Sequence, residues 1–217
     1  MSVGSRILCS FGAVAPAWLL LGVAISGSLY PGFSHYNQAM SELHAVGSPI
    51  EKMAPLINHY PLTILFVGFG LFVYRYFFTR AAKLSGLLII FHGLATLSAG
   101  YFPCDAGCLP EDGSLSNTIH GISGAVLFIT LLIAPGLWAF FSKNEQPATW
   151  FGYASMLCLV LQLILMPFLA DTLESGSGFG AYQRLLYAIP MLWMFAFSIL
   201  LLTSETNTAQ VSVQHAP

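Results

Sequence analysis

Six apolar stretches, each about one bilayer long, follow one another with little chain between them, and that pattern leaves few folds open. They are Ile7 to Gly27, Leu56 to Phe77, Leu84 to Phe102, Ile119 to Phe141, Trp150 to Ala170 and Leu185 to Thr203. A helix needs about 20 mostly apolar residues to cross a hydrocarbon core of roughly 30 Å. The chain is 56% hydrophobic and only 7% charged, against roughly 25% charged in an ordinary soluble domain. The stretches lack period-2 alternation and are about twice as long as the strands of a membrane barrel, so they read as helices. The expected fold class is all-α: a polytopic membrane helix bundle of six transmembrane helices. No loop is long enough to fold separately, so residues 1–203 read as one membrane domain. Residues 204–217, rich in Ser, Thr, Gln and Asn, read as a disordered cytoplasmic tail. Pro16, Pro61, Pro135, Pro167 and Pro190 fall inside spans and read as packing kinks.

Orientation follows from Lys and Arg near the span ends. With the N-terminus inside, the cytoplasmic segments carry Arg6, Arg75, Arg80, Lys83 and Lys143, and the outer segments only Lys52 and Arg184. Both termini are therefore expected in the cytoplasm, with the protein integral to the cell (inner) membrane. The acids divide the other way: Glu42, Glu51, Asp105, Glu111, Asp112, Asp171 and Glu174 lie outside, Glu145 and Glu205 inside. The first apolar run follows Arg6 and continues almost to Tyr30, longer than the apolar region of about 7 to 15 residues in a cleaved signal. It reads as an uncleaved signal anchor.

The outer loops concentrate the chemistry. In the first, Pro31-Gly32 is a turn signal, Ser34 can cap a helix, and Gly47 with Pro49 marks its end. Phe33, Tyr36, Met40 and Leu43 form an apolar stripe, with His35, Gln38, Ser41 and Glu42 on the opposing arc. A short interfacial helix is expected here. Its polar arc either shares a ligand between an imidazole and a carboxylate or is merely wetted while the helix plugs the bundle mouth. In the second loop, Cys104 and Cys108 on an oxidising face favour a disulfide, which stabilises so short a loop by only about 2 kcal/mol. Two thiolates could instead serve a metal, but the second ligand pair of a zinc site is missing from the sequence. No metal and no cofactor are expected.

His59, His120, Asp171 and Arg184 lie at outer span ends, at similar depth. Ionisable groups at membrane depth are costly and usually face a bundle interior or a watery cavity. The candidate outer-face polar site is therefore His35, Ser41, Glu42, His59, Asp105, His120 and Arg184, with Asp105 or Glu42 as partner to Arg184. The plainer alternative is that these groups snorkel to the interface. His92, halfway along the third span, reads as a buried neutral imidazole bonded to a neighbouring helix, with Gln162 a candidate partner. Gly22 with Ser26, and Gly121 with Ala125, read as close-packing positions.

The first-loop run Tyr30-Pro31-Gly32-Phe33-Ser34-His35, then Ser41-Glu42-Leu43-His44-Ala45 and Gly47-Ser48-Pro49, resembles the signature of a prokaryotic membrane family catalogued as domain of unknown function 998. Phe102-Pro103-Cys104-Asp105-x-x-Cys108 and the later His120 look like that family's second-loop pattern. One departure is His44, where the family form Ser-Glu-Leu-Gly-Ala has glycine. A fainter similarity of layout links the chain to eukaryotic membrane proteins of the damage-regulated autophagy modulator type. The resemblance implies a fold and a membrane location, and no activity.

The chain has no phosphate-binding glycine loop, no His-Glu-x-x-His, no nucleophile elbow and no basic nucleic-acid patch. The expected function is an outward polar pocket that binds a lipid headgroup or a partner. The expected partners are membrane lipids, with no nucleic acid, and a small molecule or protein that the sequence leaves unnamed. The alternatives are an intramembrane hydrolase using a metal or a His-carboxylate pair, and a small proton-coupled transporter built on His92 and Gln162.

Overall fold

The computed structural model describes residues 1–108 and 113–214, with the side chains of Lys143, Leu173, Glu174 and 205–214 left aside. Glu111 and Asp112 lie outside the described residues, as do residues 215–217 of the tail; residues 204–214, read as disordered from their composition, continue α6 as helix. The apolar stretches form α1 (Val3–Leu29), α2 (Tyr60–Tyr76), α3 (Arg80–Tyr101), α4 (Leu115–Phe140), α5 (Phe151–Ser175) and α6 (Phe179–Gln214). A π turn, Pro55–His59, leads into α2. Six helices are long and apolar enough to cross a membrane, and the described residues contain no strand. The protein is an all-α, multi-pass membrane protein.

The helices form a closed ring. Each packs against its neighbour in sequence, and α6 returns to pack against α1. The α2–α3 pair approaches most closely, because Gly70 and Gly86 present bare backbone: a Cβ on Gly86 would lie 2.6 Å from the Tyr74 nitrogen. The α1–α6 contact carries a reciprocal buried polar link, where Ser198 Oγ donates to the Cys9 carbonyl at 2.7 Å and the Cys9 thiol to the Ser198 carbonyl at 3.7 Å.

Prolines free carbonyls that something else must satisfy in a medium without water. Pro61 cannot donate to the Ile57 carbonyl, and Trp18 Nε1 of α1 does so instead at 2.8 Å. Pro135 leaves the Leu131 carbonyl free, and Gln162 Nε2 of α5 reaches it at 3.3 Å. Gln162 therefore serves α4's backbone. It is not the partner of His92, which bonds Tyr187 instead.

The half of the ring nearer the termini is filled. Phe197 is fully buried and packs rings with Phe69, Phe77, Trp138, Phe151 and Trp193. The two indoles also satisfy their N–H groups internally, Trp138 on Ser85 Oγ and Trp193 on Ser155 Oγ. At this end Glu145 accepts hydrogen bonds from the Phe78 and Thr79 amides and the Thr79 hydroxyl, pinning the α2–α3 turn to the α4–α5 loop. Burial alone would raise its pKa. The Thr79 hydroxyl, the Phe78 and Thr79 amides and the Lys83 charge together overcome that and hold it below the usual glutamate value.

The helix expected in the first loop is present as a 3-10 turn over Met40–His44, shorter than the Ser34-to-Gly47 pattern implies. Its Leu43 and His44 are both buried, so two consecutive residues, one of each polarity, face inward. The tight 3-10 turn and its tertiary ties, rather than the α-helical period, decide which side chains point in.

Candidate functional site

The end of the ring away from the termini is hollow. A cavity of about 380 Å³ lies there, with walls from all six helices, and the Met40–His44 turn forms its roof. Its size falls within the roughly 300–1,000 Å³ range of ligand pockets. Leu19, Val23, Leu62, Leu127, Leu131 and Leu186 give it apolar walls, and Ser41, His44, Asn58, His59, Thr96, His120, Gln162, Gln183 and Tyr187 supply its polar groups. No Asp, Glu, Lys or Arg is among the described lining residues.

Three imidazoles gather under the roof. The His44 ring centroid lies 4.3 Å from that of His59 and 5.2 Å from that of His120. His44 Nε2 faces the Ala99 carbonyl at 3.0 Å, so that nitrogen carries the hydrogen and donates. His120 Nδ1 donates in the same way to the Phe102 carbonyl at 2.9 Å, with Ala99 at 3.2 Å. These bonds cap the C-terminal end of α3, where carbonyls lack partners within the helix. Burial, reinforced by His120, pushes His44 down to about 4 against the opposing pull of the Ala99 carbonyl. The imidazole is neutral at physiological pH. His44 Nδ1 and His59 Nδ1 are buried without a hydrogen-bond partner, as is Asn58 Oδ1. Asn58 Nδ2 donates to Ser26 Oγ at 2.8 Å, and its amide occupies the space a side chain on Gly22 would need. Among the described residues, no three His, Cys, Asp or Glu are arranged to hold a metal ion.

At the cavity floor Tyr187 donates its hydroxyl to His92 Nε2 at 2.5 Å. The donor is assigned because His92 Nδ1 faces the Leu127 carbonyl of α4 at 3.1 Å and must carry the ring hydrogen. The His92–Tyr187 pair thus ties α3, α4 and α6 at mid-depth and presents Tyr187 to the cavity.

Of the sequence-predicted set, the structure brings Ser41, His59 and His120 to this cavity. The other four lie elsewhere. Glu42 folds back on its own loop and accepts from the Ala39 amide at 2.8 Å and Gln38 Nε2 at 2.9 Å. Asp105 accepts from the Ser114 amide at 2.7 Å and the Ser114 hydroxyl at 2.8 Å, which pins the turn to the start of α4 and holds its carboxyl below the usual aspartate value. His35 is exposed, edge-on to Phe33 with ring centroids 5.1 Å apart, and is lowered by partial burial and then by the Arg184 charge. Arg184 donates through Nη1 to the carbonyls of Gln38 at 2.9 Å and Gly180 at 2.8 Å, and its guanidinium lies over the Phe33 ring at 5.6 Å. Its Nη1 donations thus go to main-chain carbonyls, and of the two expected partners Glu42 acts on its charge through space. Cys104 and Cys108 form a disulfide, and the Cys104 carbonyl accepts from the Val46 amide at 2.9 Å, tying the second loop to the first.

Sequence reasoning missed His44 and Asn58 as cavity residues. His44 carried a signal, being the one departure from the first-loop pattern. Asn58, beside His59 at a span end, carried only its polarity.

A low-affinity methionine permease of Saccharomyces cerevisiae is 32% identical over 95 residues, covering 41% of this chain and 17% of the permease. The chain therefore spans under a fifth of that protein's length. No solved structure matches it. A family model described as a protein of unknown function (DUF998) matches residues 13–200, so the loops, the cavity and all of the ring but the start of α1 and the end of α6 fall within the match, and the chain belongs to that family.

Proposed function

We propose that this protein is a ligand-binding membrane protein whose hollow end faces outward and receives an uncharged, hydrogen-bonding molecule or headgroup. The observation that carries the reading is a cavity with polar groups of both kinds and no charged side chain among its described lining residues, beside which His44 and Asn58 keep buried polar atoms without a protein partner. Leaving such atoms unpaired costs about 1–3 kcal/mol each, which a ligand donor would recover. A zwitterion or phosphate would bring desolvated charge with no counter-charge on the walls, so the uncharged class fits best. The Lys and Arg distribution supports placing both termini in the cytoplasm of a cell (inner) membrane.

The test is native mass spectrometry of the protein purified in lipid nanodiscs. A bound molecule should remain with the wild type, and Asn58→Ala and His44→Ala should each reduce its retention about tenfold, the equivalent of roughly 1–1.5 kcal/mol. Asp105→Asn should not change it. Equal retention in all three variants, or a wild type carrying only bulk lipid, would refute the proposal.

A second reading, passage of the bound solute coupled to a proton, is favoured by the permease similarity and by the His92–Tyr187 pair at the cavity floor. The aromatic packing around Phe197 supports a state closed toward the termini.

A further inference from the structure

We infer that the cavity is entered sideways from the lipid, through a gap beside Gly121 and Gly124 of α4, and that its ligand is a membrane-dissolved uncharged amphiphile. The inference rests on the binding role proposed above and names its ligand class.

The roof is laced shut. From the first loop, the Met40 amide donates to Gln183 Oε1 at 2.8 Å, while the Gly180 and Ala181 amides of α6 donate to the Asn37 and Tyr36 carbonyls at 3.2 and 2.9 Å. On the opposite side His44 holds α3 and Val46 holds the disulfide-bonded turn. Opening this end would break main-chain hydrogen bonds on both flanks together.

The flank beside α4 is different. Gly121 and Gly124 line the cavity yet are exposed, and a Cβ on either would meet nothing within 4 Å. The close-packing reading of Gly121 is therefore corrected: the position is small where no helix approaches. Three joints between α4 and α5, Gln162 on the Leu131 carbonyl, Leu159 against Gly136 and Trp138 on Phe151, lie from mid-depth toward the termini.

A molecule arriving from the bilayer must keep an apolar body, and Leu62, Leu127 and Leu131 offer it a matching wall. Its head must shed water before crossing the gap, which an ion cannot do cheaply and a hydroxyl or amide can. Once inside, that head meets two polar side chains each more than nine-tenths buried, His44 and Asn58, whose unpartnered atoms lie just behind the wall.

The test needs no knowledge of the ligand. In phosphatidylcholine nanodiscs, Thr96→Cys places a thiol on the cavity wall, with the parent chain giving the background from Cys9 and Cys158. Lipid-soluble N-phenylmaleimide should label Thr96→Cys at least tenfold faster than its sulfonated, water-restricted analogue, and adding Gly124→Leu should slow the lipid-soluble reagent at least tenfold. Comparable labelling by both reagents, or an unchanged rate with Gly124→Leu, overturns lateral entry. If Gly124→Leu does not fold, Gly121→Val replaces it, and the ratio of the two reagents on Thr96→Cys alone still decides. Lateral labelling without any retained molecule in the mass-spectrometry experiment would leave the route standing and remove the binding role.

Discussion

His44 concentrates the physics of this protein in one side chain. It is 1% exposed, caps α3 through the Ala99 carbonyl and keeps a buried, unpartnered nitrogen. With a folded value of about 4 against 6.5 in an exposed chain, it stays neutral when folded and takes a proton when unfolded over that interval. The unfolded state then binds more protons, so stability rises with pH between about 4 and 6.5, is full above it, and is lost as pH falls through it. The contribution is on the order of 3 kcal/mol. The melting temperature in detergent should therefore drop between pH 6.5 and 4, and His44→Gln should flatten that part of the profile; an unchanged slope would remove His44 as the cause. At this scale the sequence was a partial guide. It marked polar residues by side, and Ser41, His59 and His120 do line one cavity. It could not say that Glu42 and Asp105 are consumed by loop amides, because those bonds depend on turns whose geometry leaves no periodic trace.

At the level of elements, the spans were legible because lipid makes hydrophobic length a strict requirement. The loop helix was less so. Five residues in a 3-10 turn are too few for a period to be read, and the fold there is set by ties to α3 and α6. Two of the prolines carried a further message, since Pro61 and Pro135 each free a carbonyl whose replacement donor lies on another helix. For Pro135 that donor is Gln162. Gln162→Leu should cost about 1–3 kcal/mol in the wild type, a fall of several degrees in melting temperature. In a Pro135→Ala background, where residue 135 can donate its own N–H to Leu131, the same change should cost much less. Equal losses in both backgrounds would show that Gln162 acts otherwise.

For the whole molecule, the ring is hollow at one end and filled with aromatic rings at the other. That asymmetry was not readable in the sequence, because aromatic residues occur along several spans and only the closed packing gathers them around Phe197. It also sets the terms for transport. A route through the ring would need the aromatic plug to move, with Tyr187 and His92 next in line as proton carriers. In proteoliposomes with a pH gradient, a coupled transporter should show proton flux that His92→Ala abolishes, whereas flux in the variant equal to wild type would leave binding alone.

The order in which the ring is assembled follows from which of its contacts are local. Five of its six helix pairs are hairpin neighbours, able to form as each segment enters the bilayer, whereas the α1–α6 pairing joins positions as distant as Cys9 and Ser198. That junction must wait for the rest. The cavity consequently comes into being late, as a by-product of closing one seam, and a chain halted before that step would carry every helix and no interior.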